Sequence, residues 1–326
     1  MTTFDGFLMR DSLQDTGVVP SPGYPYHSPD LICHAQVADP ASFFAANYAS
    51  DPNQGVQIGS TVNYFYVRAK NLSAATLSNH YVSVYRANAS LFMKPSIWKN
   101  NKLSTHDGQN YVGLPSTAPG QIAVGDKSFL LDGIASSNFC LIGIASPLQN
   151  PNVPDDFSTY EAYVVWVRSN QNICGRNLRT LHDFPNRTYE QLDAFSNPEA
   201  QSVPTLFQTT FAGPAPAGST FGITCAPLGI NTTWNISSGP TQTSSAMTPA
   251  NFSGNVTTWA TIPGGTWPSG ASITTVVYVG VGANSVAAMY RETEWEALDG
   301  KAPESPDPER PHLVQLGSCT TVFTTQ

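Results

Sequence analysis

The segment Arg291-Glu292-Thr293-Glu294-Trp295-Glu296 places three carboxylates at alternate positions. On an extended strand, residues two apart share a face, so Glu292, Glu294 and Glu296 would present their oxygens in a row. Calcium could use them, because it is a hard cation that takes carboxylate oxygens. A glycosidase could also use a pair of them, since both stereochemical routes need two carboxyl groups at a set separation. A third role needs no ligand. Like charges along an exposed edge keep one sheet from pairing with another, and that is the commonest use of such a row. Calcium at Glu292, Glu294 and Glu296 is therefore the only cofactor expectation the sequence raises.

Other catalytic arrangements are missing. The six histidines are scattered, and there is no HExxH, no GxSxG elbow and no phosphate-cradling glycine loop. His182-Asp183 joins a base to an orienting carboxylate in sequence, but adjacent strand residues face opposite ways. The pair reads as a loop dipeptide.

Tryptophan is the second chemistry-bearing type. Trp234, Trp259, Trp267 and Trp295 crowd the C-terminal part, and an indole left in water can stack on a sugar ring or sit at a lipid interface. Trp267 lies in Gly264-Gly265-Thr266-Trp267-Pro268-Ser269-Gly270, a turn with little apolar sequence around it. It is expected to be exposed, and Trp267 with Trp259 forms the expected ligand-binding pair.

Composition narrows the class. Charged residues make up 12% of the 326 residues and aromatics 11%. Low charge with many aromatics argues for packed cores rather than disorder, and the Ser, Thr, Asn, Gly and Pro that replace charge suit strands and turns. The net charge of −8, with 15 Lys and Arg, leaves no basic stripe to neutralise phosphates, which excludes nucleic acid as a partner. Protein or glycan partners stay open, as does self-association. The N-terminus lacks a basic segment followed by an apolar run, so no Sec-type signal peptide is expected. No window approaches the ~18 apolar residues of a membrane helix. Location is then extracellular by a signal-independent route, or cytoplasmic.

The five cysteines, Cys33, Cys140, Cys174, Cys225 and Cys319, show no metal-ligand spacing. They read as buried free thiols, with a Cys33–Cys140 disulfide as the alternative. Seven Asn-x-Ser/Thr sequons occur, which a chain this rich in those residues produces by chance.

The elements that must position these residues are short strands. The length fits two domains, expected at 1–190 (a leader plus an immunoglobulin-like β-sandwich) and 200–326 (a second β-sandwich). The polar, proline-bearing stretch from Asn186 to Pro204 is the expected boundary. In the first domain, strands are expected at Leu31 to Val37, Thr61 to Ala69, His80 to Ala87, Gln121 to Leu131, Phe139 to Ala145 and Ile173 to Leu181. Leu91 to Leu114 reads as an insertion. Ser158-Thr159-Tyr160-Glu161 fits a capping box, opening one short helix with Tyr163, Trp166 and Val167 on one face. In the second, strands are expected at Thr205–Phe211, Thr220–Ala226, Thr232–Ser237, Val256–Ile262, Ile273–Val281, Val286–Trp295 and Leu313–Val322, separated by Gly/Pro/Ser turns.

Three passages carry a family resemblance. Ser28-Pro29-Asp30-Leu31-Ile32, Tyr66-Val67-Arg68-Ala69-Lys70-Asn71 and Asn172-Ile173-Cys174-Gly175-Arg176-Asn177-Leu178 are similar to the opening, the second strand and a closing turn of bacterial cell-adhesion-related (CARDB-like) immunoglobulin-like domains. The likeness covers about the first 180 residues. It implies a surface adhesive role and supplies no catalytic residues.

The expected function is a non-enzymatic binding or assembly component, adhesin-like or part of an extracellular or particle-borne assembly. The alternatives are a toxin or toxin-accessory subunit engaging a host membrane or receptor, and a surface-carboxylate glycoside hydrolase.

Overall fold

The computed structural model describes residues 2–21, 26–56, 62–88, 90–131, 139–282, 284–287, 293–294 and 309–325. The fold is all-β, built from sandwiches of packed sheets, with two short α-helices, Pro40–Ala46 and Tyr160–Ser169. No helix among the described residues is long and apolar enough to cross a membrane.

Two compact units divide the chain: Met1–Asn88 with Lys94–Asp156 and Trp166–Asn177, and Ala89–Met93 with Phe157–Val165 and Leu178–Gln326. The division differs from the boundary expected at 186–204. That stretch carries the strand Thr188–Ser196, paired residue for residue with Ser253–Thr261. Proline and polarity suggested a linker, but the strand's inward row is Tyr189, Gln191, Asp193 and Phe195, and its polar members are hydrogen-bonded.

In the first unit the strand Asn63–Asn71 organises a six-stranded sheet. Leu31–His34 and Phe7–Leu8 pair along its length, as do Phe129–Leu131 and Ile122–Val124. A four-stranded sheet runs Ile173–Arg176, Phe139–Ser146, His80–Asn88, Val112–Leu114. Phe7, Met9, Leu31, Phe65 and Val67 from the first sheet side meet Val82, Val84, Leu141 and Ala145 from the second in one buried cluster. The leader is part of this body. Phe7 and Leu8 extend the sheet, and Arg10 is bonded to Asp30 within it. The stretch 121–131, expected as one strand, is broken into two at the turn after Val124.

The single strand expected over 173–181 is also two. Ile173–Arg176 closes the first unit, and Leu178–His182 runs parallel to His312–Thr324 in the second. Between them Asn177 is buried and donates its backbone N–H to the Tyr26 carbonyl at 2.8 Å.

The second unit has a six-stranded sheet, with Leu178–His182, His312–Thr324, Ser272–Val281, Val203–Ala212 and Thr241–Thr248 in order and Thr293–Glu294 against His312–Thr324. Its four-stranded sheet runs Thr188–Ser196, Ser253–Thr261, Thr220–Cys225, Ile230–Asn235. Phe211, Ile273 and Phe323 pack with Tyr189, Phe221 and Ala260. Part of this interior is polar and satisfied: Thr258 and Thr275 share a hydrogen bond at 2.6 Å, and the Tyr189 hydroxyl meets Thr321 Oγ1 at 2.5 Å. Residues 89–93 belong here too. A Cβ added at Gly317 would lie 2.2 Å from the Leu91 carbonyl oxygen, so only glycine lets this segment rest on the strand.

The helix Tyr160–Ser169 forms as expected, but its cap is one residue later. Thr159 Oγ1 accepts from the Ala162 N–H at 3.2 Å, the geometry of an N-cap to its N3 position, and Glu199 accepts the Tyr160 N–H. Ser158 is not the cap. All five cysteines are buried and none is in a disulfide, as small apolar side chains would be.

Candidate functional site

The outer face of the four-stranded sheet in the second unit carries an aromatic platform. Ala260 points into the core, so its neighbours Trp259 and Thr261 point away from it. Phe221 and Ile223 likewise face inward and turn Gly222 outward. The sheet register sets Gly222 directly beside Trp259, with Thr233 on the far side of Gly222.

The indole uses the space that glycine leaves. A Cβ built on Gly222 would fall 2.5 Å from Trp259 Cζ2 and 2.6 Å from Cε2. The ring therefore lies down across the neighbouring strand. Its underside rests on backbone, and the residue stays only half-buried. Any larger residue at 222 would collide first with the Thr232 carbonyl oxygen, 2.1 Å from such a Cβ, and then with the ring.

What surrounds the ring is polar and almost uncharged. Thr257 and Thr261 flank it on its own strand, Thr220 and Thr224 on the next, and Asn231, Thr233 and Asn235 on the edge strand beyond. Leu192 is 53% exposed on the other flank, paired with Thr257. Glu190, opposite Trp259, is the one ionisable group on these rows. An aromatic plane ringed by hydroxyls and amides can take an apolar ring face from above while bonding hydroxyls at its rim.

The other expected site residues fare differently. Trp267 is not an exposed loop residue. It is 3% exposed, stacks on Phe323 with ring centroids 4.1 Å apart and planes at 9°, and donates Nε1–H to the Asn186 carbonyl at 2.8 Å. The glycine-rich turn folds back on the closing strand, where the Gly270 N–H donates to the Phe323 carbonyl and the Phe323 N–H to the Ala271 carbonyl, both at 2.8 Å. Trp267 is thus a core residue, and Trp259 and Trp267 do not form one exposed surface. Trp234 packs its ring on Phe221 at 5.4 Å. Glu292, Trp295 and Glu296 lie outside the described residues. Glu294 is on the two-residue strand Thr293–Glu294, whose backbone pairs with Leu313 and His312. Among the described residues, no three His, Cys, Asp or Glu side chains converge in a way that would hold a metal ion.

Sequence reasoning singled out Trp259 but missed Gly222. The glycine sits inside a strand, where it marks close approach of another group, and that is the signal available from sequence. Which residue approaches depends on register.

No family model matches the chain, and no curated protein matches it. Among solved structures it is similar to CBD12 from CALX1.2 at 11% identity, covering 80% of this chain and 92% of that one, with a TM-score of 0.21. It is also similar to the collagen adhesin CNA from S. aureus, at 8% identity over 82% and 89% of the two chains, TM-score 0.24. A third is CfaE, the adhesive subunit of the CFA/I fimbria of enterotoxigenic Escherichia coli, at 8% identity over 99% and 94%, TM-score 0.23. No property is transferred from likenesses this slight.

Proposed function

We propose that this chain is a non-enzymatic binding component that holds a neutral glycan against Trp259 on the outer sheet face of its second unit. The reading rests on the half-exposed indole laid flat over Gly222. A pyranose presents a face of C–H groups edged by hydroxyls. Covering roughly 80 Å² of indole and sugar apolar surface contributes about 2 kcal/mol by the usual area coefficient, and the Thr and Asn rows supply hydrogen-bond partners for the rim. The shortage of charge on the face suits a neutral ligand, since an ionic one would be desolvated without a partner. A single platform of this kind gives weak, repeat-dependent attachment, as an adhesive or particle-borne assembly displaying many copies requires. The likeness of the first half to cell-adhesion-related domains is in keeping with that role.

The test is retention of the full chain on insoluble neutral polysaccharides, compared with Trp259→Ala. Loss of retention with a nearly unchanged Tm supports the reading. Equal retention of the two proteins on every polysaccharide that holds the wild type would sink it.

A further inference from the structure

We propose that a groove in the first unit, between the first turn of the helix Pro40–Ala46 and the end of the strand Ile122–Val124, receives an arginine side chain of a partner peptide, with Asp39 and Asp126 as its two anionic walls. The groove has a volume of about 360 Å³ and is lined by Asp39, Pro40, Leu114, Pro115, Val124 and Asp126 among others. That volume lies within the ~300–1,000 Å³ of ordinary ligand sites.

The chain path sets both carboxylates on one side of the sheet. Val124 packs with Phe44 of the helix. Gly125 faces the other way, since a Cβ built on it would meet the core residues Val112 and Val67 at 2.8 and 2.9 Å. Alternation along the chain then returns Asp126 to the helix side, where its Oδ1 accepts from the Gly113 N–H at 2.9 Å. Asp39 is the N-cap of that helix, and its Oδ1 accepts from the Ser42 N–H at 3.1 Å. A backbone donor therefore orients each carboxylate.

Neither charge is neutralised. Among the described residues Asp39 and Asp126 are in no ion pair, and Lys127, next to Asp126 in sequence, is taken by Asp107. No Lys, Arg or His lines the groove. Hydrogen bonds from the Ser42 hydroxyl and N–H hold the Asp39 carboxyl below the ordinary carboxylate range, so it is an anion at neutral pH.

The lining between the two walls selects the occupant. Leu114 and Val124 form an apolar floor, with Pro40 half-buried and Pro115 exposed beside it. An ion pair in open water contributes little, so a ligand must cover this floor as well as meet the charges. A basic side chain does both, laying its methylene stem on apolar surface while its head reaches the anions. Arginine suits two opposed walls better than lysine. Its planar fork sends N–H donors in several directions at once, and it is more weakly hydrated than an ammonium. This chain is a poor source of that arginine, with 15 Lys and Arg against a net charge of −8. In the first unit Arg10, Arg68 and Arg176 are already buried with carboxylates. The acidic surface instead attracts a basic segment of another protein.

The experiment titrates the full chain, at low ionic strength, with a short Gly/Ser peptide carrying one central arginine, with its lysine and citrulline versions, and with spermidine, followed by calorimetry. The expected result is binding of the arginine peptide and about tenfold weaker binding of the citrulline peptide, which keeps the shape and loses the charge-assisted bonds. The lysine peptide and spermidine bind several-fold more weakly. Asp126→Asn keeps an oxygen for the Gly113 N–H, and Asp39→Asn keeps a good N-cap, so each removes charge and spares the fold. Each should weaken the arginine peptide about tenfold. Asp5→Asn, which removes the same charge from an exposed residue of the leader, leaves binding unchanged. Absence of arginine-peptide binding, equal binding of the citrulline or lysine peptide or of spermidine, unaltered binding by both groove variants at wild-type Tm, or an equal loss in Asp5→Asn would each overturn the assignment.

Discussion

Arg68 Nε donates to Asp30 Oδ1 at 2.8 Å, and both side chains are fully buried. The other Arg68 donors go to four backbone carbonyls, those of Phe44, Asn47, Pro29 and Ser50. On the opposite side, Arg10 grips the same carboxylate through Nε at 3.0 Å and Nη2 at 2.6 Å. One carboxylate thus ties the leader, the first strand and the central strand of the first unit together. Removing it strands two guanidiniums in the interior. Asp30→Asn should cost about 3–5 kcal/mol, the usual penalty for breaking a buried pair from one side, measured by urea unfolding. A loss under 1 kcal/mol would show that water reaches the cluster.

The leader also carries carboxyls that burial disfavours as anions. Burial pushes the Asp11 carboxyl well above its ordinary range, and nearby Asp15 adds to the shift, while the Ser21 hydroxyl and Arg168 oppose it. Burial raises Asp15 as well. A carboxyl whose folded pKa is raised holds its proton longer in the native state. Its contribution is fully present below the unfolded value near 3.8 and is lost as pH rises through the folded pKa. Asp11→Asn should therefore gain on the wild type as pH rises from 4 to 8. Unfolding curves of the two proteins across that range test the sign, and a variant that loses ground to the wild type as pH rises would contradict it.

Gln315 is 2% exposed, and neither atom of its amide finds a hydrogen-bond partner among the described residues. It stands at the register shift opposite Tyr278. Replacing an unpaired buried amide by an apolar chain of similar shape removes a desolvation cost of about 1–3 kcal/mol. Gln315→Met should raise stability by roughly 1 kcal/mol after allowing for imperfect packing. A fall in Tm would mean that the amide is satisfied in solution.

Trp267→Ala should destabilise by about 3–5 kcal/mol, as core tryptophan truncations do, because it empties the stack on Phe323. Trp259→Ala, by contrast, should change stability little. Thermal melts of the two variants side by side distinguish a core indole from a surface one.

At the helix start, Thr159→Ala should cost about 1 kcal/mol and Ser158→Ala almost nothing. The reverse order would put the cap back at Ser158.

Much of the β architecture was legible because short runs of aromatic and branched apolar residues mark strands such as Asn63–Asn71 and Phe139–Ser146, which are buried along most of their length. The two longest strands that escaped notice lack such runs. Thr188–Ser196 turns Gln191 and Asp193 inward, where Thr321 and Cys319 meet that polar row, and Thr241–Thr248 is nearly all hydroxyl and amide. Their pairing comes from neighbours distant in sequence. Trp267 was misread because local composition cannot show Phe323 arriving from the end of the chain. The passages that carried the family resemblance contain Asp30, Arg68 and Asn71, and each has a structural task here. Asn71 Nδ2 donates to the Ala75 and Thr117 carbonyls at 2.9 and 2.8 Å. Trp259 could be picked out as an aromatic in a strand, but the glycine beneath it required the register.

The second unit draws residues 89–93 and 157–165 from the middle of the chain, and Gly317 is shaped to receive the first of these. No one scissile point therefore releases it whole. A fragment starting at Leu178 lacks Phe92, Tyr160 and Tyr163, whose rings pack together, and a fragment ending at Asn177 carries those rings without the strands of their own unit. Expression of either half should yield insoluble or protease-sensitive material, while the two halves co-expressed could still complement each other. The gene segments for the two units cannot be shuffled independently by a single crossover, so a lineage that changed the ligand of one unit would have to do so by point substitution or loop exchange.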